Sequence, residues 1–290
     1  MKGAALLATS LLIWELLSRL GPWPRWLFPG PGAVAASLAT LAADGRLGAA
    51  VARSLVRLAE GYGLSIVIGV PLGMAMGRSA LARAAIRPVV LGLQALPSIC
   101  WLPLAILWFG LSEAAIVFVV VMGSLLAVAI ATEDAALSVD PMVLRAAGTL
   151  GIHGLRFHAG VLLPAALPGI LTGLKLGWSF AWRALMAGEL LFVAGGLGQL
   201  LQAGRELLDA AQVMAVMVAI VAVGTAVDRV LFRTVELRVR RRWGLAEAPA
   251  RHAGASSPAS APSPPSSSRG RPATATRRTT VRSASGTSPT

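Results

Sequence analysis

Long apolar runs separated by short polar segments dominate the first 245 residues of the chain. Residues 88–131 carry one charge, Glu113, and as a single helix they would be about 66 Å long, roughly twice the ~30 Å hydrocarbon core of a bilayer. Two spans joined by a tight turn at residues 109–113 fit this run. The pattern predicts an all-α integral membrane protein with six transmembrane helices, at about 3–20, 57–77, 88–108, 112–132, 163–186 and 210–232.

Composition and charge change along the chain and divide it in two. Hydrophobic residues make up 56% of the 290 positions and charged residues only 13%, with a formal net charge of +13. Residues 246–290 are rich in Ser, Pro, Thr and Arg, and such a segment cannot bury enough apolar surface to offset the entropy of ordering. We therefore expect a transmembrane domain over 1–245 and a disordered tail over 246–290. The tail either attracts anionic membrane lipid or is dispensable, and no specific nucleic-acid site is expected.

The positions of Lys and Arg predict the orientation, because positively charged loops resist translocation. With a cytoplasmic N-terminus, the basic residues on the cytoplasmic side would be Lys2, Arg78, Arg83, Arg87, Arg145, Arg156 and those from Arg233 to Arg242. Segment 21–56 disagrees, since it would be external yet carries Arg25, Arg46 and Arg53. The balance predicts that both termini are cytoplasmic.

The connection between the fourth and fifth spans, residues 133–162, contains a well-specified short helix. Asp140 is a favourable N-cap, Pro141 a favourable first residue, and Gly151 the expected left-handed stop. Apolar residues then recur at helical spacing in one stripe: Val143, Ala146, Ala147 and Leu150. This stripe either packs on the protein's own bundle or receives another surface, and spacing alone leaves both readings open.

The run LRAAGTLGIHGLRFHAGVLLPAALPGILTGLK, residues 144–175, resembles the "EAA" loop of bacterial ABC-transporter permeases. That motif is Glu-Ala-Ala, three residues, Gly, nine residues and Ile-x-Leu-Pro. Five positions match it: Ala146, Ala147, Gly151, Leu163 and Pro164. Val161 replaces Ile, whereas Arg145 stands at the Glu position and reverses a charge. Further stretches are similar to the nitrate/sulfonate/taurine branch, the last two most of all to aliphatic-sulfonate permeases: residues 27–34, 54–77, 93–110, 177–191 and 196–207.

This resemblance implies the fold of a type I ABC importer permease, acting as a homodimer in the cell inner membrane. Residues 133–162 would then be a coupling loop that a separate ATP-binding subunit grips while it uses ATP and Mg²⁺. An extracytoplasmic solute-binding protein would deliver a small oxyanion, an aliphatic sulfonate or else taurine or nitrate. The implied contacts with the ATPase are Arg145, Ala146, Ala147, Gly151, Val161, Leu163 and Pro164. No cofactor is expected on this chain, because neither of its lysines follows a glycine as a phosphate-binding loop requires.

Ionisable groups inside a span are costly, so they are candidates for a substrate path. In the fifth span Lys175, Trp178, Trp182 and Glu189 lie within about 60° around a helix, with Arg183 at the edge of the stripe. Together with Gln94 and Pro97 of the third span, these residues are the predicted path. Pro97 and Pro103, with Gln94 and Ser98, are expected to break the third span, either to line a cavity or only as packing kinks. Alternatively, Lys175 and Glu189 snorkel at the span ends and the tryptophans form an interfacial belt.

Two other patterns carry structural predictions. Gly69, Gly73 and Gly77 surround Pro71 in the second span with the small-xxx-small spacing of closely packed membrane helices. Glu133 and Asp134 are expected at a solvated span end.

Other functional classes fit the sequence less well. An ion-coupled secondary transporter, using Arg183 and Glu189 as coupling groups, is the main alternative. A membrane enzyme would need a convergent catalytic set, and no catalytic residues or metal site are predicted.

Overall fold

The computed structural model describes residues 2–24, 26–191, 195–232, 234, 235 and 238. All regular secondary structure in these residues is helical. The helices in chain order are α1 (Lys2–Leu20), α2 (Pro31–Ala43), α3 (Arg46–Arg78), α4 (Ala80–Gln94), α5 (Leu102–Phe109), α6 (Glu113–Leu137), α7 (Pro141–Thr149), α8 (Gly154–Phe157), α9 (Leu163–Leu191), α10 (Leu197–Glu206) and α11 (Ala210–Val227). A 3₁₀ turn at Ser98–Trp101 leads into α5, and π turns at His158–Leu162 and Asp228–Phe232 precede α9 and follow α11. The tail predicted at 246–290 lies outside the described residues.

Among these residues, four helices are long and apolar enough to cross a membrane: Arg46–Arg78, Glu113–Leu137, His158–Leu191 and Ala210–Val230. A bent pair, Ala80–Gln94 with Ser98–Phe109, makes a fifth if it is counted as one span. The first predicted span is the 19-residue helix α1, whose leucines are largely exposed. Including α1 would bring the number to six, and that number stays a prediction.

The third span, predicted at 88–108 with a break near Pro97 and Pro103, is bent. Its two halves meet at 97°, with the break at residues 95–97. Pro97 lies in a non-helical conformation (φ −53°, ψ 136°), and a proline both lacks an N–H and disfavours helical geometry in the residue before it. The apolar run is therefore bent, as in a broken span or a re-entrant loop.

Helix α6 lies between α3 and α9, and its side chains form much of the hydrophobic core. Glycines of α3 face α6 so closely that a Cβ at Gly73 would lie 2.4 Å from the Ala129 carbonyl oxygen. A Cβ at Gly77 would lie 2.6 Å from that of Ala136. Only glycine permits this approach, which confirms the predicted close packing of the second span.

Several elements extend beyond the predicted spans. Helix α3 begins at Arg46 rather than near residue 57, so Arg57 and Glu60 lie inside a long helix. Helices α2 and α10 occupy connections that the sequence left without structure. Helix α10 packs against α9 and α11, and α2 packs against α11.

Candidate functional site

Helix α7 has the boundaries that its sequence predicts. Asp140 Oδ1 accepts a hydrogen bond from Met142 N at 2.7 Å, and Pro141 is the first helical residue. At the other end Gly151 adopts φ +68°, and its N–H donates to Gly148 O at 3.1 Å. The Ile152 N–H donates to the Ala147 carbonyl at 3.0 Å, which completes a Schellman stop. Local signals alone therefore fix this helix.

The two faces of α7 have different surroundings. Ala147 is buried and Leu144 partly buried, in a cluster with the end of α6 and the start of α9. The rest of the predicted stripe is exposed: Val143, Ala146 and Leu150, together with Met142 and Arg145. Ala147 of the stripe therefore packs on the protein's own bundle, and the other three residues leave an apolar face uncovered.

The remaining predicted coupling residues lie near the buried side of α7. Val161, Leu163 and Pro164 are partly buried, and Val161 and Leu163 pack on the same cluster as Ala147. Phe157 is buried in that cluster, and the Arg78 guanidinium lies 4.9 Å from its ring centre. Thus the end of α3 is tied to the loop as well.

A cavity of about 290 Å³ opens at the bend between α4 and the 3₁₀ turn. Gln94, Pro97 and Ser98 line one side, and Arg183 of α9 lines the other. The Arg183 side chain is exposed; its Nε donates to Ser179 O at 3.1 Å, and its guanidinium lies 4.7 Å from the Phe180 ring centre. In the described part of the chain Arg183 forms no ion pair.

The other candidates of the predicted path do not line this cavity. Trp178 is 6% exposed and packs edge-on against Tyr62, while Trp182 stacks on it and is partly buried. Lys175 Nζ lies 3.4 Å from Asp228 Oδ2, on the side of α9 that faces the end of α11. The side chains predicted to form one stripe therefore have different surroundings. Arg183 lines the cavity, whereas Trp178 contacts Tyr62 and Lys175 contacts Asp228.

Glu189 is fully buried, so it does not snorkel. Its carboxylate receives Arg57 Nη1 at 2.8 Å, Ser54 Oγ at 2.8 Å and the Gly198 N–H at 3.0 Å. The same Arg57 binds Glu113 through Nε and through Nη2, the latter at 2.7 Å. Sequence reasoning missed this cluster, because Arg57 and Glu113 are 56 residues apart and Ser54 and Glu189 are 135 residues apart.

The expectation of solvated carboxylates at 133–134 is half wrong. Asp134 is exposed, but Glu133 is fully buried against Arg83 and Arg87 of α4. The charge pattern predicts these arginines only as residues of a cytoplasmic loop. Their contact with Glu133 could not be predicted, because they are far from it in the sequence.

The helices long and apolar enough to cross a membrane define a helical membrane protein, with a bent apolar segment beside Arg183. Residues 66–241 match the family described as the binding-protein-dependent transport system inner membrane component, and the chain belongs to this family. The predicted resemblance to ABC-transporter permeases is thereby confirmed.

Named relatives agree with this assignment. A protein named a probable ABC transporter permease from Brucella melitensis biotype 1 is 33% identical over 218 residues, 75% of this chain and 87% of the relative. The taurine transport system permease protein of Escherichia coli (strain K12) is 32% identical over 239 residues, 81% of this chain and 84% of the relative. A Bacillus subtilis (strain 168) permease protein named for aliphatic sulfonates transport is 29% identical over 228 residues, 79% and 83% of the two chains.

The fold also matches a solved structure, that of the MetNI methionine ABC transporter in inward-facing conformations. The TM-score is 0.59 at 22% identity, over 68% of this chain and 95% of the other. This confirms the predicted fold of a type I importer permease. The chain is therefore a permease component of an ABC importer, and its family implies an ATP-binding subunit and a solute-binding protein as partners.

Proposed function

We propose that this permease imports small organic oxyanions, aliphatic sulfonates or taurine, across the inner membrane as a homodimer driven by ATP hydrolysis in a partner subunit. The names of the taurine and sulfonate relatives support the substrate class. The observation that carries the proposal is Arg183, an exposed guanidinium without an ion pair in the described residues, on the wall of a cavity beside Gln94. Arginine donors bind sulfonate oxygens as they bind carboxylates and phosphates.

The position of Arg183 also supports a second copy. An arginine within a span costs about 2.5–3.5 kcal/mol or more when it faces lipid, so such residues face protein or a water-filled path. Arg183 lies on α9 eight residues before its end, on a surface that no described helix covers. A second copy of the chain against this face would enclose the cavity and place the arginine on a shared path.

We assign the exposed apolar face of α7 to the ATP-binding subunit, which holds the ATP and Mg²⁺. Helices that dock in a groove present anchors at i, i+3 and i+7 spacing, as Val143, Ala146 and Leu150 do. Because Arg145 replaces the family's Glu, apolar packing carries more of this contact than charge does. With this assignment α7 lies on the cytoplasmic side, and six spans would put both termini there as well.

Uptake by proteoliposomes tests the proposal. The permease is reconstituted with its ATP-binding subunit and solute-binding protein, and entry of radiolabelled taurine and of an alkanesulfonate is measured with and without ATP. We expect ATP-dependent uptake that Arg183→Ala lowers at least tenfold and Arg183→Lys partly restores, since a cation remains at the cavity. Arg205→Ala is the matched control, because Arg205 is an exposed arginine of α10 outside the cavity.

Two results would refute the assignment. Uptake by this polypeptide alone, driven by an ion gradient, would favour the secondary transporter, for which the comparisons give no support. Unchanged transport of both anions by the Arg183→Ala variant would remove this residue from the path.

A further inference from the structure

Glu133 of α6 is a fully buried carboxylate whose charge is balanced from a different helix. Arg87 Nη1 lies 2.8 Å from its Oε1, and Arg83 Nε lies 3.4 Å from the same oxygen. Within the described residues these two arginines are the cations that balance the buried charge of Glu133. The two arginines are about one-third exposed. The contact therefore opposes separation of α4 from α6.

On one side of this ion pair lies the coupling helix. Ala135 and Ala136 of α6, and Val139 just after the helix, are buried in the cluster that contains Ala147 of α7. A displacement of α7 is thus transmitted by direct packing to the end of α6, because close-packed side chains do not absorb it.

On the other side lies the cavity. Arg87 is seven residues before Gln94, so about 10 Å of continuous helix joins the ion pair to the cavity wall. Helix α4 ends there, and the 97° bend separates it from the 3₁₀ turn at Ser98–Trp101. A bend of this kind is where a helix can change direction without breaking further hydrogen bonds.

A second contact fixes the base of α4. Arg83 also donates to the carbonyl oxygens of Met76 and Gly77, through Nε and Nη2, each at 3.2 Å. These carbonyls belong to the last turns of α3, so Arg83 holds the α3–α4 corner. Within the described residues Arg87 makes no such backbone contact, and its carboxylate partners are Glu133 and Asp134.

We propose that Glu133 is a positioning residue whose ion pair with Arg87 carries the movement of α7 into α4, and so sets the shape of the cavity during transport. This inference rests on the proposed function, because it requires that a motor subunit moves α7. It goes beyond it by naming the internal contact through which the movement reaches the substrate path.

The single cysteine of the chain offers a direct readout. Cys100 is exposed and lies in the 3₁₀ turn directly after the bend. Its rate of reaction with a maleimide reports the environment of that turn. In the wild-type complex we expect this rate to change when a non-hydrolysable ATP analogue closes the ATP-binding subunits.

The test compares Glu133→Gln and Arg87→Gln with the wild-type complex and with Glu60→Gln. Glu60 is an exposed carboxylate on α3, so it controls for a carboxylate-to-amide change in the same domain. We expect the number of substrate molecules imported per ATP to fall about tenfold, within the roughly 5- to 150-fold range of coupling between sites, while ATP hydrolysis persists. The nucleotide-dependent change at Cys100 should disappear in both variants, and Arg87→Lys should restore it in part.

The outcomes separate the two proposals. Failure of the wild-type complex to import either anion with ATP refutes the proposed function. Retention of the wild-type import ratio and Cys100 response in Glu133→Gln refutes the role of the ion pair, and so does a wild-type Cys100 rate that ignores nucleotide. A purely structural role would instead lower the thermal midpoint of the variants and leave the import ratio unchanged. If Glu133→Gln does not fold, Arg87→Gln decides, because its side chain is partly exposed.

Discussion

Replacement of Glu189 by glutamine should destabilise the transmembrane domain far more than its single-atom change suggests. The carboxylate accepts from Arg57, Ser54 and the Gly198 N–H, at 2.8, 2.8 and 3.0 Å. A glutamine side chain has one acceptor oxygen, so its NH₂ group must face one of these donors. Arg57, which is 3% exposed, also loses a buried counter-charge.

The magnitude follows from these contacts. Removing one partner of a buried ion pair costs about 3–5 kcal/mol, and we expect the lower end, about 3 kcal/mol, because Arg57 keeps Glu113. Glu113→Gln is the matched control, since it removes the other carboxylate from the same arginine. That side chain is 66% exposed, so its loss should cost about 1 kcal/mol or less.

Thermal unfolding in detergent, followed by intrinsic tryptophan fluorescence, measures the difference. At about 2–4 °C per kcal/mol, the midpoint of Glu189→Gln should fall by roughly 6–12 °C and that of Glu113→Gln by roughly 4 °C at most. Equal midpoints for the two variants would show that the burial of Glu189 does not determine how much this carboxylate contributes to stability.

Two further substitutions test the packing and the coupling loop. Gly73→Ala should lower the unfolding midpoint, because its Cβ would lie 2.4 Å from Ala129 O and such overpacking costs about 1–3 kcal/mol. Gly92→Ala is the control, since its Cβ meets nothing within 4 Å. Similar midpoints for the two variants would refute the close approach of α3 to α6. Gly151→Pro cannot adopt φ +68°, so it should abolish substrate-stimulated ATP hydrolysis by the reconstituted complex. Gly160→Ala, in open space on the same loop, should retain that stimulation, and wild-type stimulation in the Gly151 variant would contradict the role of α7.

The features that the sequence predicts well are those that depend on neighbouring residues. Helix α7 is bounded by an N-cap, a first-turn proline and a left-handed glycine that lie within twelve residues, and each acts on its own turn. The glycines of α3 are likewise visible, because a four-residue repeat of small side chains marks one helix face.

The break in the third span is predicted from its prolines, but the sequence does not show which proline ends the helix or how sharply the chain turns. Pro71, Pro88 and Pro168 lie inside continuous helices, whereas the chain turns by 97° beside Pro97. Whether a proline ends a helix depends on what packs around the carbonyl that it leaves free, and a single sequence does not contain that information. The hydropathy of the run also stays high through the bend.

The partners of the buried charges could not be predicted from the sequence either. Glu133 and Glu189 look like ordinary span-end carboxylates until their partners on other helices are known. Arg57 and Glu189 are 132 residues apart, and no periodicity connects them. The different surroundings along the fifth span have the same cause, since α3 and the π turn after α11 contact Trp178 and Lys175 of α9.

The glycine seam between α3 and α6 has a mechanical consequence. Two helices whose backbones touch cannot slide or roll past each other without a clash, so they travel as one rigid body. We therefore expect opening and closing of this permease to change the bend beside Pro97 rather than the packing of α3 on α6. Because the seam is rigid, we expect movement at the bend beside Pro97, where the cavity lies.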